Sequence, residues 1–106
     1  MLCLGALGTF IVDLRNEISK LPTKHRIIIL GDFNMDQMDK ENFVKINNFA
    51  SDFQDPFKQL CKFSTHREGG ILDLVLDNEK YIDDNPNFVK WLATPFSDHF
   101  IIYYQL

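Results

Sequence analysis

Three polar clusters interrupt or close apolar runs in this 106-residue chain, and each holds groups that can move protons or bind anions. The first is Asp32 with Asn34, directly after Ile27-Ile28-Ile29-Leu30. Two positions apart in an extended chain, they share a side. They leave an apolar strand at its C-terminal end, where α/β proteins place ligands. An acid and an amide there can orient a water and steady a phosphate oxygen; with Gly31 they also make an ordinary capped turn. The second is Asp73, inside Ile71-Leu72-Asp73-Leu74-Val75-Leu76. Alternation puts Leu72, Leu74 and Leu76 on one face and Ile71, Asp73 and Val75 on the other. A buried, unpaired carboxylate is costly, so Asp73 either faces water or has an imidazole or guanidinium partner. The third is Ser97-Asp98-His99, just before the run Phe100 to Tyr104. His99 is the candidate to pair with Asp73, an arrangement that holds the ring tautomer and stabilises imidazolium. It would then serve as general base or as stabiliser of a charged transition state. Asp98 either faces a divalent metal or caps its turn.

The elements that must position these clusters follow from periodicity. Phe10, Ile11, Leu14, Ile18 and Leu21 recur at helical spacing, with Thr9 as the cap and Pro22 as the stop. Lys20, Lys24, His25 and Arg26 then suit the negative end of the helix dipole. Ile27 to Leu30 reads as a strand buried on both faces. A second helix begins near Asp36 or Asp39, buries Phe43, Ile46, Ala50 and Phe53, and is broken by Asp55-Pro56. Leu60–Ser64, Ile71–Leu76, Phe88–Ala93 and Phe100–Tyr104 read as strands. Thr65–Gly70, Asn78–Lys80, Asp83–Asn87 and Thr94–His99 are the turns and loops between them. A helix–strand–helix start with a strand-rich finish predicts a mixed α/β or α+β layer fold.

Composition narrows the function. Apolar residues make up 45% and charged residues 25%, ordinary values for a single folded domain. The net charge is −4 and no basic tail or helix stands out, which argues against a module that coats nucleic acid. An enzyme that touches nucleic acid through a metal stays open. The uncharged start, Met1 to Val12, is too short to span a bilayer and has no basic leader, so no membrane is expected. Cys3 and Cys61 give no disulfide framework, and with His25, His66 and His99 they show no zinc-ligand spacing; both read as small buried residues.

Taken together, the clusters resemble a known family. Gly31-Asp32-Phe33-Asn34 after a run of isoleucines, Leu72-Asp73-Leu74-Val75-Leu76, and a closing Ser97-Asp98-His99 before an apolar strand occur in this order in the endonuclease/exonuclease/phosphatase superfamily. The amphipathic helix ahead of the first strand also fits, as does Ser64-Thr65 before Gly69-Gly70-Ile71-Leu72-Asp73. The pattern looks most like the endonuclease domains of non-LTR retrotransposons and covers residues 10 to 106.

The resemblance implies a Mg²⁺-dependent phosphodiesterase that cleaves DNA, acting inside the cell and, for the retroelement branch, in the nucleus. Asp32 would orient or deprotonate the attacking water, and Asn34 would bind the scissile phosphate. His99 would stabilise the phosphorane or assist proton transfer, Asp73 would orient His99, and Asp98 would ligate Mg²⁺. Thr65 would shape the phosphate pocket. His66 and Arg67 read as a solvated loop near DNA phosphates, with Lys58 and Lys62 adding local positive charge.

The implied fold is a two-sheet α/β sandwich of two similar halves, and residues 1–106 read as one partial domain, its C-terminal half. The family's early Asn, its main metal-binding Glu and a further Tyr/Asp/His group have no place here; Glu17, Glu41, Glu68 and Glu79 are in the wrong settings. The resemblance therefore implies weak Mg²⁺ binding and little activity from these residues alone. It also implies an uncovered sheet face carrying some of the ten Phe, inviting self-association or pairing with the missing half or another chain. Two other functions share the residues: a phosphoesterase of the same fold acting on a lipid or inositol phosphate, and a non-catalytic remnant or interaction fragment.

Overall fold

The computed structural model describes residues 7–21, 26–80 and 89–104. Cys3, Pro22, Lys24, His25, the 83–87 loop, Phe88 and the side chain of Phe10 lie outside the residues described. The elements run α1 (Leu7–Ser19), β1 (Ile28–Asp32), α2 (Lys40–Ser51), β2 (Lys58–Gln59), β3 (Asp73–Asp77), β4 (Val89–Leu92) and β5 (Ile101–Tyr104). Two helices and two antiparallel sheets make this a small α+β domain, and no described helix is long and apolar enough to cross a membrane.

Strand β3 is the axis. It pairs antiparallel with β1 on one side and β2 on the other. Its alternation is the expected one, and each face has a separate cover. Leu74 and Leu76 pack with Phe33, Ile46, Phe49 and Phe57, against which α1 lays Ile11, Leu14 and Ile18. Val75 packs with Leu60, Cys61 and Val89, joined by Ile102 and Tyr104 from β5. The antiparallel pair β4–β5 therefore covers the face that carries Asp73. Helix α2 starts where Asp39 accepts hydrogen bonds from the amides of Glu41 and Asn42, satisfying two of the donors a helix start leaves over.

Several expectations are corrected. Helical backbone already runs through Leu7 and Gly8, so Thr9 is inside α1 and does not cap it. Strand β1 is not buried on both faces: Ile28 and Ile29 are half-buried and Leu30 is 55% exposed. A continuous apolar run is covered twice only in the middle of a sheet, and β1 is an edge. Leu30 lies opposite Val75 but beyond the reach of the two-stranded cover. Phe43 faces solvent on α2. The strand expected over Leu60–Ser64 is absent; pairing stops at Gln59, whose side-chain amide takes both the N–H and the carbonyl of Cys61 at 2.7 Å each. Leu60 and Cys61 are buried all the same. An uncovered sheet face does exist, on the outside of β4–β5, and among the described strand residues it is lined by Leu92, Ile101 and Tyr103.

One turn fixes the relation between β1 and β3. Gly70 has φ +93°, and a Cβ there would meet the Asp36 carboxylate at 3.1 Å. Asp36 cannot retreat, because it accepts hydrogen bonds from the amides of Met38 and Ile71. Gly69, at φ +98°, has open space around it. Gly70→Ala is therefore expected to lose about 2 kcal/mol in urea unfolding and Gly69→Ala about 1 kcal/mol, the former adding a clash to the backbone strain. Equal losses would show that Asp36 yields.

Candidate active site

Asp32 ends β1 directly opposite Asp73, which begins β3, so both carboxylates stand on the same face of the sheet. The chain then turns. Asn34 adopts φ +50° and its amide donates to Asp32 Oδ1 at 2.7 Å. Phe33 and Met35 are buried between the exposed Asp32 and Asn34. The two polar residues do share the outer side, but through a capped turn and not through a continued strand. The turn occupies one oxygen of Asp32 and leaves Oδ2 facing the site.

His99 arrives from the other sheet. Its Nδ1 lies 2.7 Å from Asp73 Oδ2, and its Nε2 lies 3.6 Å from Asp32 Oδ2. The first is a charge-assisted hydrogen bond in which Nδ1–H donates to the carboxylate. The second is too long for a hydrogen bond and too short to admit an oxygen between the two atoms, so an oxygen that met both would sit to one side of them. The Asp73 hydrogen bond holds the His99 pKa above its ordinary value; burial works against it, and the charges of Asp73, Asp32 and Asp98 add to it. The imidazole is therefore held in one tautomer, biased toward the charged form, with Nε2 turned to the second carboxylate.

The loop carrying His99 is pinned at three points. Ser97 Oγ accepts from the His99 amide at 3.1 Å, the Asp98 carbonyl accepts from the Arg67 amide at 2.7 Å, and the Phe100 amide donates to the Thr65 carbonyl at 2.8 Å. The Asp98 side chain is exposed and stands outside the Asp32–Asp73–His99 group.

Thr65, expected to shape the phosphate pocket, is a buried brace under Asp73. It is fully buried, and its Oγ1 accepts from the amides of Leu72 at 2.9 Å and Asp73 at 3.1 Å. Thr65→Val is expected to leave two amides without their acceptor and to cost about 2 kcal/mol. Urea unfolding checks the cost, and a loss under about 0.5 kcal/mol would mean that water replaces the hydroxyl. His66 is corrected too: it is half-buried and packs on His99. Arg67 is exposed, and its guanidinium donates to the Thr94 carbonyl.

Sequence reasoning missed a second carboxylate on the same face of β3. Asp77 is fully buried and receives Arg26 Nη2 at 2.7 Å, Arg26 Nε at 3.2 Å, the Tyr104 hydroxyl at 2.9 Å and the Glu79 amide at 2.9 Å. The signal was there: Asp77 repeats Asp73 four positions on, and Arg26 precedes the strand that pairs with it. Cys61 is buried as expected, and burial pushes its thiol up to about 11.

The donor set bears on Mg²⁺. Among the described residues, Asp32, Asp73 and His99 are grouped closely enough for one ion, and none of Glu17, Glu41, Glu68 or Glu79 joins them. The Asp73–His99 hydrogen bond takes up Asp73 Oδ2 and His99 Nδ1, and the Asn34 backbone amide takes up Asp32 Oδ1, so Asp32 and Asp73 are each engaged through one oxygen. One or two carboxylates, completed by waters and substrate phosphate, is a donor set Mg²⁺ accepts.

No family model, curated protein or solved structure matches the chain.

Proposed function

We propose that this chain carries the phosphate-handling half of a Mg²⁺-dependent phosphodiesterase that cleaves DNA, with residues 1–106 forming the C-terminal half of a two-sheet sandwich of the endonuclease/exonuclease/phosphatase type. The observation that carries the reading is the His99 imidazole, bound at Nδ1 by Asp73 and presenting Nε2 at 3.6 Å from Asp32. A base and a positively biased donor this close together can both reach one oxygen placed beside them, such as one attacking or bound to phosphorus.

In this reading Asp32 takes a proton from water, whose oxygen attacks phosphorus as the opposite P–O bond breaks. His99 donates a hydrogen bond to the oxygen on which charge builds. Asp73 holds the ring in place, and Asn34 binds a non-bridging oxygen. Asp98 would hold Mg²⁺, which supplies charge neutralisation at the phosphate when bound. Lys58, Lys62 and Arg67 would offset the overall charge of −4 toward a DNA partner.

Supercoiled plasmid incubated in Mg²⁺ with this chain completed by an N-terminal half tests the reading, with inositol polyphosphate and sphingomyelin as parallel substrates. Nicking that disappears in EDTA and in Asp32→Ala supports it. Hydrolysis of the lipid or inositol ester without nicking replaces DNA with that substrate. No hydrolysis of any of them by the completed protein, with Mg²⁺ present, identifies a non-catalytic fragment.

A further inference from the structure

His66 belongs to the loop after β2, yet it meets His99 twice. The two residues form an isolated antiparallel backbone bridge, and their rings sit edge to face with centroids 4.9 Å apart and planes at 87°. The His66 ring is itself fixed: the Glu68 amide donates to its Nδ1 at 3.1 Å, so the ring hydrogen of neutral His66 resides on Nε2. Thr65, one residue earlier, braces the Asp73 amide. Residues 65 and 66 thus contact both members of the Asp73–His99 pair.

A single hydrogen bond at Nδ1 sets the distance between His99 and Asp73 but leaves the imidazole able to pivot about it. An edge-to-face neighbour restricts that freedom, because turning the His99 ring would give up a favoured aromatic contact and its packing. We infer that His66 is a positioning residue for His99: its ring sets the plane of the His99 imidazole and thereby keeps Nε2 aimed at the space beside Asp32. The inference rests on the phosphodiesterase reading for its consequence in rate, but not for its geometry. It assigns His66 no proton transfer; the ring, and not its nitrogen chemistry, is what the site uses.

Two variants separate ring from nitrogen. His66→Ala removes both, and His66→Phe keeps an aromatic ring while losing the Nδ1 acceptor. The first readout is the His99 side-chain ¹H–¹⁵N spectrum, which needs no activity. In His66→Ala the Nδ1–H resonance of His99 is expected to exchange with water about tenfold faster or more, as the ring swings off Asp73, with the helical circular dichroism unchanged. In His66→Phe it is expected to stay protected. The second readout is plasmid nicking: kcat falls by about 10- to 100-fold in His66→Ala with KM held, and His66→Phe restores most of the rate. A His99 resonance and a kcat that ignore His66→Ala overturn the inference. So does a His66→Phe protein as impaired as His66→Ala, which would make the imidazole itself a chemical participant. If the wild-type protein cleaves no phosphodiester, the proposed function fails while the spectra still decide whether His66 positions His99.

Discussion

Arg26→Met is expected to destabilise the domain by about 3 kcal/mol at pH 7, because the guanidinium, itself partly exposed, neutralises a carboxylate that is fully buried and would be left stranded. Asp77 is the stranded group: it has no exposed surface, and two of its four donor contacts come from the Arg26 guanidinium. The pH dependence gives the prediction its signature. In the wild-type protein burial pushes the Asp77 pKa up, but hydrogen bonds from Arg26, the Glu79 amide and Tyr104, together with the Arg26 charge, outweigh it and hold the value below the ordinary one. An acid whose folded pKa lies below its unfolded value of about 3.9 adds stability above that value, lost as pH falls through the folded pKa. Without Arg26, burial dominates and the sign reverses. The folded pKa then lies above the unfolded one, so the variant's deficit is full at neutral pH and shrinks as Asp77 takes a proton on acidification. Urea unfolding of both proteins from pH 7 to pH 4 checks this. A small deficit, flat across that range, would show that Tyr104 and the Glu79 amide suffice for the carboxylate.

Asp73→Asn is expected to cut phosphodiester cleavage by about 10²–10⁴-fold, the range associated with a positioned acid or base. Asparagine has the same shape, so the fold and the Thr65 brace survive. What changes is the group facing His99 Nδ1: a charged acceptor becomes a neutral amide that can offer either an oxygen or an N–H. The hydrogen bond to Asp73 is the largest influence holding the His99 pKa up. Its loss should bring the His99 titration down toward the ordinary histidine value of about 6.5, read by NMR. Both changes must appear together. A variant that keeps the wild-type titration while losing activity would separate Asp73 from His99 and leave the carboxylate some other task. One that keeps its activity would remove the pair from the mechanism.

The legible parts of the structure were those where one residue's cost named its partner. A carboxylate inside an apolar strand demands a cation, and among the polar residues His99 stood before a strand able to deliver it; Asp73 and His99 do meet at 2.7 Å. The Asp39 cap and the alternation of Leu74, Val75 and Leu76 were readable for similar reasons, since each is local. Thr65 and Asp36 were not readable, because their partners are the backbone amides of Leu72, Asp73, Met38 and Ile71, which carry no sequence label. Arg26 satisfied a helix-dipole argument, and that hid its pairing with Asp77, 51 residues away. The exposure of Leu30 depends on how far a two-stranded sheet reaches, a quantity set by tertiary packing and not by the run of isoleucines itself.

Strand β5 and the residues leading into it are held against β3 by two carboxylates spaced two pleat repeats apart on the same face: Asp73 takes His99, and Asp77 takes Tyr104. The histidine of the candidate site therefore travels with the outer sheet, while its carboxylate partner belongs to the inner one. Opening of the β4–β5 unit alone would separate the pair while α1, α2 and β1 stayed folded, so the site's lifetime is that of a sub-global unit and not that of the whole domain. Activity would then fade on heating before helicity does. The tether at Tyr104 is then one of the contacts that set how often the His99–Asp73 pair is found closed.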